Sequence, residues 1–217
     1  MVEPVFEIYG HPFSSYTWKA LIPFYALDIP FTFHEVMPGG DDLVSSASPL
    51  GKFPLLVDGN SVLFEATVII EHLAATLPQA RSLIPADPAA AVEARMLDRV
   101  FDLSIQGSSF PVVAAYMASP DNPDQAVIVK ARADLLRAYA WLERYLERKP
   151  IPAEITLVTC AAAPALFYAD WIEEIPASAP KLRQFRADLL ALPAVARCVD
   201  DARPFRGWFP PGAPDRD

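Results

Sequence analysis

Residues 48–66 read Ser48-Pro49-Leu50-Gly51-Lys52-Phe53-Pro54-Leu55-Leu56-Val57-Asp58-Gly59-Asn60-Ser61-Val62-Leu63-Phe64-Glu65-Ala66. The stretch parses as a turn, a short apolar strand, a tight Asp58-Gly59-Asn60 turn, a second strand and a helix start. Pro54 stands at the entry to the first strand. A proline cannot donate to a sheet, and it pushes Phe53 into an extended conformation. With Phe53-Pro54 in the cis form, residue 53 turns its N–H and C=O outward, where an extended peptide can pair with them. Glu65 falls at a helix N-terminus, where free backbone N–H groups and the helix dipole attract a carboxylate. One segment thus offers a main-chain edge for a peptide with an anion site beside it.

Outward from this stretch, the first 80 residues mix strand and helix signals. Val5–Tyr9 reads as a short apolar strand, and Ser14–Leu27 carries apolar residues at helical spacing (Trp18, Leu21, Ile22, Tyr25). Phe31–Val36 reads as a second strand, Pro38-Gly39-Gly40 breaks the chain, and a helix runs from about Ala66 to Leu77, closed by Pro78. The order β-α-β-(short helix)-β-β-α predicts a small mixed sheet with helices packed on it, and a right-handed parallel crossover between the first two strands. Pro78–Pro88 reads as a linker, and no strand pattern follows it. Asp87 and Pro88 supply an N-cap and an N1 proline. The helix they start runs through Val92, Leu97, Val100, Phe101 and Ile105, with a kink expected at Pro111. Ala126–Glu147, Ile155–Asp170, Ala179–Leu190 and Ala194–Asp201 are further helices. Glu143, Arg144, Glu147 and Arg148 read as a solvated face. The tail from Pro204 is expected to wrap the surface without regular structure. The fold class is therefore α+β, divided as residues 1–79 and an all-helical part over 88–217.

The composition narrows the function. The 217 residues are 53% hydrophobic, enough for a sizeable core, and the net charge is −9. Such a balance argues against nucleic acid or an anionic membrane surface as partner. The start, Met1-Val2-Glu3-Pro4, has no basic n-region, and the apolar stretch around 156–168 is too short and too interrupted to span a bilayer. Cys160 and Cys198 are far apart, fall in apolar helical patterns and read as core thiols. A cytoplasmic location is expected. His11, His34 and His72 are scattered without ligand spacing, so no metal site is expected.

A second motif, His11-Pro12-Phe13-Ser14-Ser15-Tyr16-Thr17-Trp18-Lys19, joins the first strand to the first helix. Serine here can cap the helix. A hydroxyl at a helix N-terminus can also donate to a thiolate, which the dipole further favours. Lowering a thiol pKa by about two units from about 8.5 requires roughly 2.7 kcal/mol of differential stabilisation. One charge-assisted hydrogen bond plus the dipole is of that order.

With both motifs in place, the N-terminal half resembles a thioredoxin-like domain and the whole chain resembles a cytosolic glutathione S-transferase, of the serine type found in bacterial or zeta-like members. The resemblance implies a cis Pro54, with Phe53 pairing its main chain with the cysteinyl part of glutathione. It places the γ-glutamyl end at Glu65 and Ala66, and brings Lys52 towards the glycyl carboxylate. Ser14 takes the catalytic position, with Ser15 and Tyr9 as rival donors. The sulfur of glutathione, as co-substrate, is the nucleophile. The family usually has serine where this chain has Ala66, which removes one hydroxyl hydrogen bond, worth roughly 0.5–1.5 kcal/mol net.

The implied activity is attack of the glutathione thiolate on a hydrophobic small-molecule electrophile, a detoxification reaction, in a homodimer. The electrophile is expected between the two parts of the chain, near Pro12, Phe13, Ser104, Ser108 and Tyr116, closed by Phe205, Trp208 and Phe209. His11 is expected on the loop surface. The alternative is a non-catalytic or weakly catalytic binding protein on the same fold, an option that Ala66 favours. A third motif, Ile155-Thr156-Leu157-Val158-Thr159, resembles the family's capping box with Thr159 in place of its usual aspartate, so a weaker cap is expected.

Overall fold

The computed structural model describes residues 6–37 and 39–217. Four strands, β1 (Phe6–Gly10), β2 (Phe31–Glu35), β3 (Leu55–Asp58) and β4 (Ser61–Phe64), form one sheet in the order β2-β1-β3-β4. β1 runs parallel to β2, with Ile8 opposite Phe33, and antiparallel to β3, with Ile8 opposite Leu56. β3 and β4 form the hairpin that Asp58-Gly59 predicts, and Gly59 takes the positive φ of 58° that its turn requires. The first strand extends one residue beyond the predicted Tyr9. Its predicted start, Val5, and the break at Pro38 lie outside the described residues. This is the expected thioredoxin-like mixed sheet.

Helix α1 (Ser15–Ala26) crosses from β1 to β2, and α2 (Asp42–Ala47) precedes β3. Asp41 caps α2 by accepting from Leu43 N and Val44 N. Helix α3 (Ala66–Thr76) follows β4. Thr17 through Phe24 are all buried because α1 is covered on two sides. The sheet lies on one, where Phe6 meets Phe24 edge-on at 5.7 Å. Helix α7 (Leu157–Ile172) lies on the other, where Trp18 meets Phe167 and Tyr168 at 4.9 and 5.3 Å.

The rest of the chain is helical: α4 (Pro88–Arg99), α5 (Gly107–Ala118), α6 (Gln125–Arg148), α7, α8 (Pro180–Leu190) and α9 (Pro193–Ala202). Every residue of α7 is buried. Its run of alanines lets neighbouring helices approach it closely. The result is the predicted α+β architecture, with the helical part packed against the sheet through α1.

Several expectations are corrected. The presumed linker forms a 3₁₀ turn over Pro78–Leu83, with Ala80 and Leu83 fully buried in the common core. The irregularity placed at Pro111 lies earlier, as a widened π-type turn at Val100–Gln106 between α4 and α5. Glu143 is not on a solvated face. It is buried, and its two carboxylate oxygens accept Lys181 N at 3.0 Å and Leu182 N at 2.8 Å. It thereby caps α8, whose own N-cap residue, Ala179, has no side chain for the task. The tail begins with a 3₁₀ turn at Arg203–Trp208, and Phe209 is buried. The capping box of α7 is complete. Thr156 N donates to Thr159 Oγ1 at 2.9 Å and Thr159 N returns to Thr156 Oγ1 at 3.4 Å, so threonine's hydroxyl reaches where a longer side chain was expected to be needed.

One contact joining the two parts was not anticipated. Lys19 on α1 is 1% exposed at its side chain, and its ammonium group meets Asp98 Oδ1 at 2.6 Å, Asp102 Oδ2 at 2.7 Å and Thr67 Oγ1 at 2.8 Å. Arg99 Nη1 lies 2.8 Å from Asp98 Oδ2. Two cations and two carboxylates make the cluster neutral. Lys19→Met removes the buried cation between two carboxylates, and we expect it to lower unfolding stability by about 3–5 kcal/mol in urea denaturation. The conservative surface change Lys130→Met is expected to alter stability by less than about 0.5 kcal/mol.

Candidate functional site

The site begins where β1 ends. A Cβ on Gly10 would lie 2.7 Å from Thr17, so glycine is what lets α1 fold back against the strand. The His11–Ser14 turn between them is tied on several sides. His11 N donates to Thr17 Oγ1 at 3.3 Å, Ser14 N to His11 O at 3.0 Å, and Tyr168 OH of α7 to Phe13 O at 3.0 Å. Trp18 Nε1 donates to Pro12 O. Ser14 is the N-cap of α1, in extended conformation, and its Oγ accepts Thr17 N at 3.3 Å. Capping uses a lone pair of the hydroxyl and leaves its proton free to be donated elsewhere.

Ser14 and Ser15 open on a cavity of about 640 Å³ walled by Phe13, Phe110, Met117, Tyr168 and Trp208. A second cavity of about 480 Å³ lies against the start of α3 and is bounded by Pro54, Glu65, Ala66, Thr67, Arg99 and Asp102. Lys52, Phe53 and Tyr16 border both. The Phe53-Pro54 bond is cis, and among the described residues the Phe53 N–H and C=O have no protein partner. Its half-buried side chain packs on the small cluster of Val36, Val44 and Leu55.

Glu65 has φ +72°, a left-handed conformation that a residue with a side chain seldom adopts. It occupies the N-cap of α3, yet makes no side-chain cap hydrogen bond. The first N–H groups of α3, at buried Ala66 and Thr67, are therefore left for a ligand. Asp102 adds a carboxyl to this cavity. Burial pushes its pKa up, against the pull of Lys19. Tyr16 OH lies 3.5 Å from Asp102 O, and its pKa is pushed up to about 12, first by burial and then by Asp102, Glu65 and Asp98. It stays a neutral donor.

The sequence-derived residues fall into two groups. Lys52, Phe53, Pro54, Glu65 and Ala66 line the second cavity, and Ser14 shares the first with Lys52 and Phe53. Tyr9 borders neither. It stacks on His34 at 4.3 Å and donates to Glu7 Oε2 at 3.4 Å, whereas Ser14 and Ser15 share the larger cavity with Phe53. His11 is buried rather than on the loop surface, and it lines neither cavity.

Of the residues expected around an electrophile, Phe13, Trp208 and Phe209 line the larger cavity, whereas Pro12, Ser104, Ser108, Tyr116 and Phe205 do not. Gln106, Ser109, Phe110, Val113 and Met117 take their place. The π-type turn at Val100–Gln106 is the cause. Its wider spacing shifts the helix phase, so a face extrapolated at 3.6 residues per turn points elsewhere after residue 100. Tyr16, at the junction of the cavities, was also missed. Only its place in the Ser14-Ser15-Tyr16 run hinted at it.

A thioredoxin-like sheet with an open cis-proline edge, set against a helical bundle, defines a class of two-part folds, and the comparisons narrow it. Residues 8–81 match the family described as glutathione S-transferase, N-terminal domain. A glutathione S-transferase of Pseudomonas putida is 30% identical over 138 residues, which span 62% of this chain and 61% of that relative's length. A glutathione S-transferase of Methylobacillus flagellatus, solved with glutathione bound, superposes with a TM-score of 0.77 at 22% identity, covering 89% of this chain and 98% of its own. Glutathione transferase F2 of Populus trichocarpa gives 0.79 at 18% identity, covering 92% and 99%. The chain is thus similar to glutathione S-transferases in sequence over residues 8–81 and in its overall fold.

The turn that carries Ser14 depends on the missing side chain at residue 10. Gly10→Ala forces Thr17 away from the strand. It is expected to cost about 1–3 kcal/mol of stability, read as a lowered melting temperature.

Proposed function

We propose that the protein is a glutathione transferase in which Ser14 stabilises the thiolate of glutathione for attack on a hydrophobic electrophile. The observation that carries the reading is the meeting of two cavities at one unpaired stretch of main chain, Phe53, with a helix N-terminus in one and the Ser14 hydroxyl in the other. An extended tripeptide laid along Phe53 places its γ-glutamyl carboxylate at the N–H groups of Ala66 and Thr67, with Glu65 beside its ammonium group. Its cysteinyl N–H and C=O pair with Phe53, and Lys52 takes the glycyl carboxylate. The sulfur then faces Ser14 at the mouth of the larger cavity, whose apolar and aromatic walls suit a hydrophobic substrate.

In the chemical step Ser14 donates its hydroxyl proton as a hydrogen bond to the thiolate and keeps that proton. The sulfur's electron pair forms the new bond to the electrophilic carbon, and the leaving group or the π electrons depart on the electrophile. In this reading residues 1–79 are the glutathione-binding domain, residues 88–217 the helical domain, and the setting is cytoplasmic detoxification. The free, buried thiols of Cys160 and Cys198 suit a reducing compartment. Among the described residues, no helix is long and apolar enough to cross a membrane.

The reading includes a homodimer. Val68 on α3 and Val92 and Met96 on α4 are exposed on surfaces that the Arg95–Glu71 ion pair brings together. A second copy is the partner that such an apolar patch suits. We expect Val92→Glu combined with Met96→Glu to give a monomer in sedimentation equilibrium. A monomeric parent protein would remove this part of the proposal.

For the activity, Ser14→Ala is expected to lower kcat/KM with a generic aryl halide by about 100-fold, equivalent to roughly 2.7 kcal/mol. The pH–rate profile should move to higher pH as the bound thiol loses its donor. Retention on immobilised glutathione without turnover, unchanged in Ser14→Ala, would instead favour a binding protein. Ala66→Ser restores a hydroxyl at the start of α3. It is expected to tighten glutathione binding about 2- to 10-fold by titration calorimetry.

A further inference from the structure

His11 has no part in the reaction as described, yet it is the most buried of the three histidines, 6% exposed. Its Nδ1 accepts the Phe13 N–H at 3.1 Å. An accepting Nδ1 must be bare, which puts the proton of a neutral ring on Nε2. Nε2 is shut off from solvent without a hydrogen-bond partner, and the nearest carboxylate oxygen, Glu35 Oε1, is 3.7 Å away. Burial lowers the pKa of the ring against the opposing pull of Glu35, which helps keep Nδ1 bare. The ring faces are also engaged. Phe205 meets the imidazole edge-on at 4.6 Å, and Trp208 lies nearly parallel to it at 5.2 Å. The main chain of His11 holds the same turn, accepting from Ser14 N and donating to Thr17 Oγ1. Phe13 and Trp208 are both walls of the cavity on which Ser14 opens.

We propose that His11 is a positioning residue of the transferase site, fixing the Phe13–Ser14 turn through Nδ1 and the Trp208 wall through its ring. The proposal rests on the Ser14 reading above. His11 reaches neither cavity, so it acts only through Phe13, Ser14 and Trp208. It sets two things together: where the thiolate's donor sits, and how far the aromatic wall stands from it.

The test separates the acceptor from mere bulk. Asparagine places its amide oxygen where Nδ1 sits, at the same number of bonds from Cα, whereas glutamine places its oxygen near the position of Nε2. His11→Gln and His11→Ala are expected to lower kcat about 10-fold or more while the KM for glutathione stays within about 2-fold. His11→Asn should restore kcat to within about 3-fold of the parent but, lacking an aromatic plane for Trp208, should raise the KM for the electrophile. Equal losses in Asn and Gln variants of matched melting temperature, or a glutathione KM that moves with kcat, would overturn the proposal.

A second readout does not need turnover. The Phe13 amide should be protected from hydrogen exchange in the parent and in His11→Asn, and unprotected in His11→Gln. An unprotected Phe13 amide in the parent refutes the positioning role even if activity is normal. Protection with the expected variant pattern in a parent protein that shows no conjugation refutes the Ser14 reading, and the transferase role of His11 with it, while leaving the hydrogen bond established.

Discussion

A single ammonium group holds the two parts of this chain in register. Lys19 has three N–H donors, and each has a partner: Asp98 on α4, Asp102 on the π-type turn and Thr67 on α3. Thr67 in turn lies 3.0 Å from Asp98 Oδ2, and Arg99 covers the outer side of the same carboxylate. Burying such a group costs free energy that an apolar contact would not, and the Coulomb attraction offsets that cost only while the geometry holds. Apolar surfaces can slide past one another at small cost, whereas this cluster tolerates little displacement. Four segments are thereby fixed to one point, and all four border the candidate site, α4 through Arg99. Helix α1 carries Ser14 at its N-terminus, α3 offers its own N-terminus to the second cavity, and the π-type turn supplies Asp102 to that cavity and Gln106 to the other.

The π-type turn and the ion cluster are parts of one arrangement. The carbonyl of Asp102 accepts the Gly107 N–H that closes the wide turn, and Tyr16 OH lies 3.5 Å from the same oxygen. The carboxylate of Asp102 points the other way, to Lys19. One residue therefore ties the helix irregularity to α1 through both its main chain and its side chain. A regular helix through 100–106 would rotate Ser109, Phe110 and Val113 away from the larger cavity, because their direction depends on the extra residue in that turn.

Much of this was legible from local rules. Pro54, the Asp58-Gly59 turn and the helix start at Ala66 are short-range features whose chemistry does not depend on distant partners, and the sheet with its crossover follows from them. The helical part was legible in outline, from caps and apolar spacing. What escaped was set by tertiary contact. Lys19 stands among Trp18, Leu21 and Ile22 and looks like a solvated exception in an apolar helix, until Asp98 and Asp102, some 80 positions away, come to meet it. Glu143 looked like one more surface charge because the uncapped N–H groups it satisfies belong to α8, 38 residues on. Ser104 and Ser108 were placed by a helical period that the π-type turn breaks, and no residue in Val100–Gln106 announces that break. His11 was assigned to the surface as a loop residue, but the C-terminal Phe205 and Trp208 close over it.

The strained residue at Glu65 has a physical logic that its neighbours make plain. A serine, threonine or aspartate in extended conformation at this N-cap would bond the second or third N–H of α3 with its own side chain and so occupy the donors now open to the second cavity. Glu65 instead sits at φ +72°, with its carbonyl accepting Ile69 N at 3.1 Å so that the helix still starts, while its exposed side chain makes no cap hydrogen bond. A left-handed non-glycine residue costs on the order of 1–3 kcal/mol. Buried Ala66 and Thr67 on one side, and the β3–β4 hairpin on the other, hold it there. The helix is thus left uncapped by its own chain at the one end where a ligand's carboxylate can do the capping. The same comparison applies to Ser14, which in the proposed reading is an N-cap and a thiolate donor together. Its cap takes a lone pair and leaves the proton, whereas a carboxylate at that position would place a negative charge, with no proton to give, beside the sulfur.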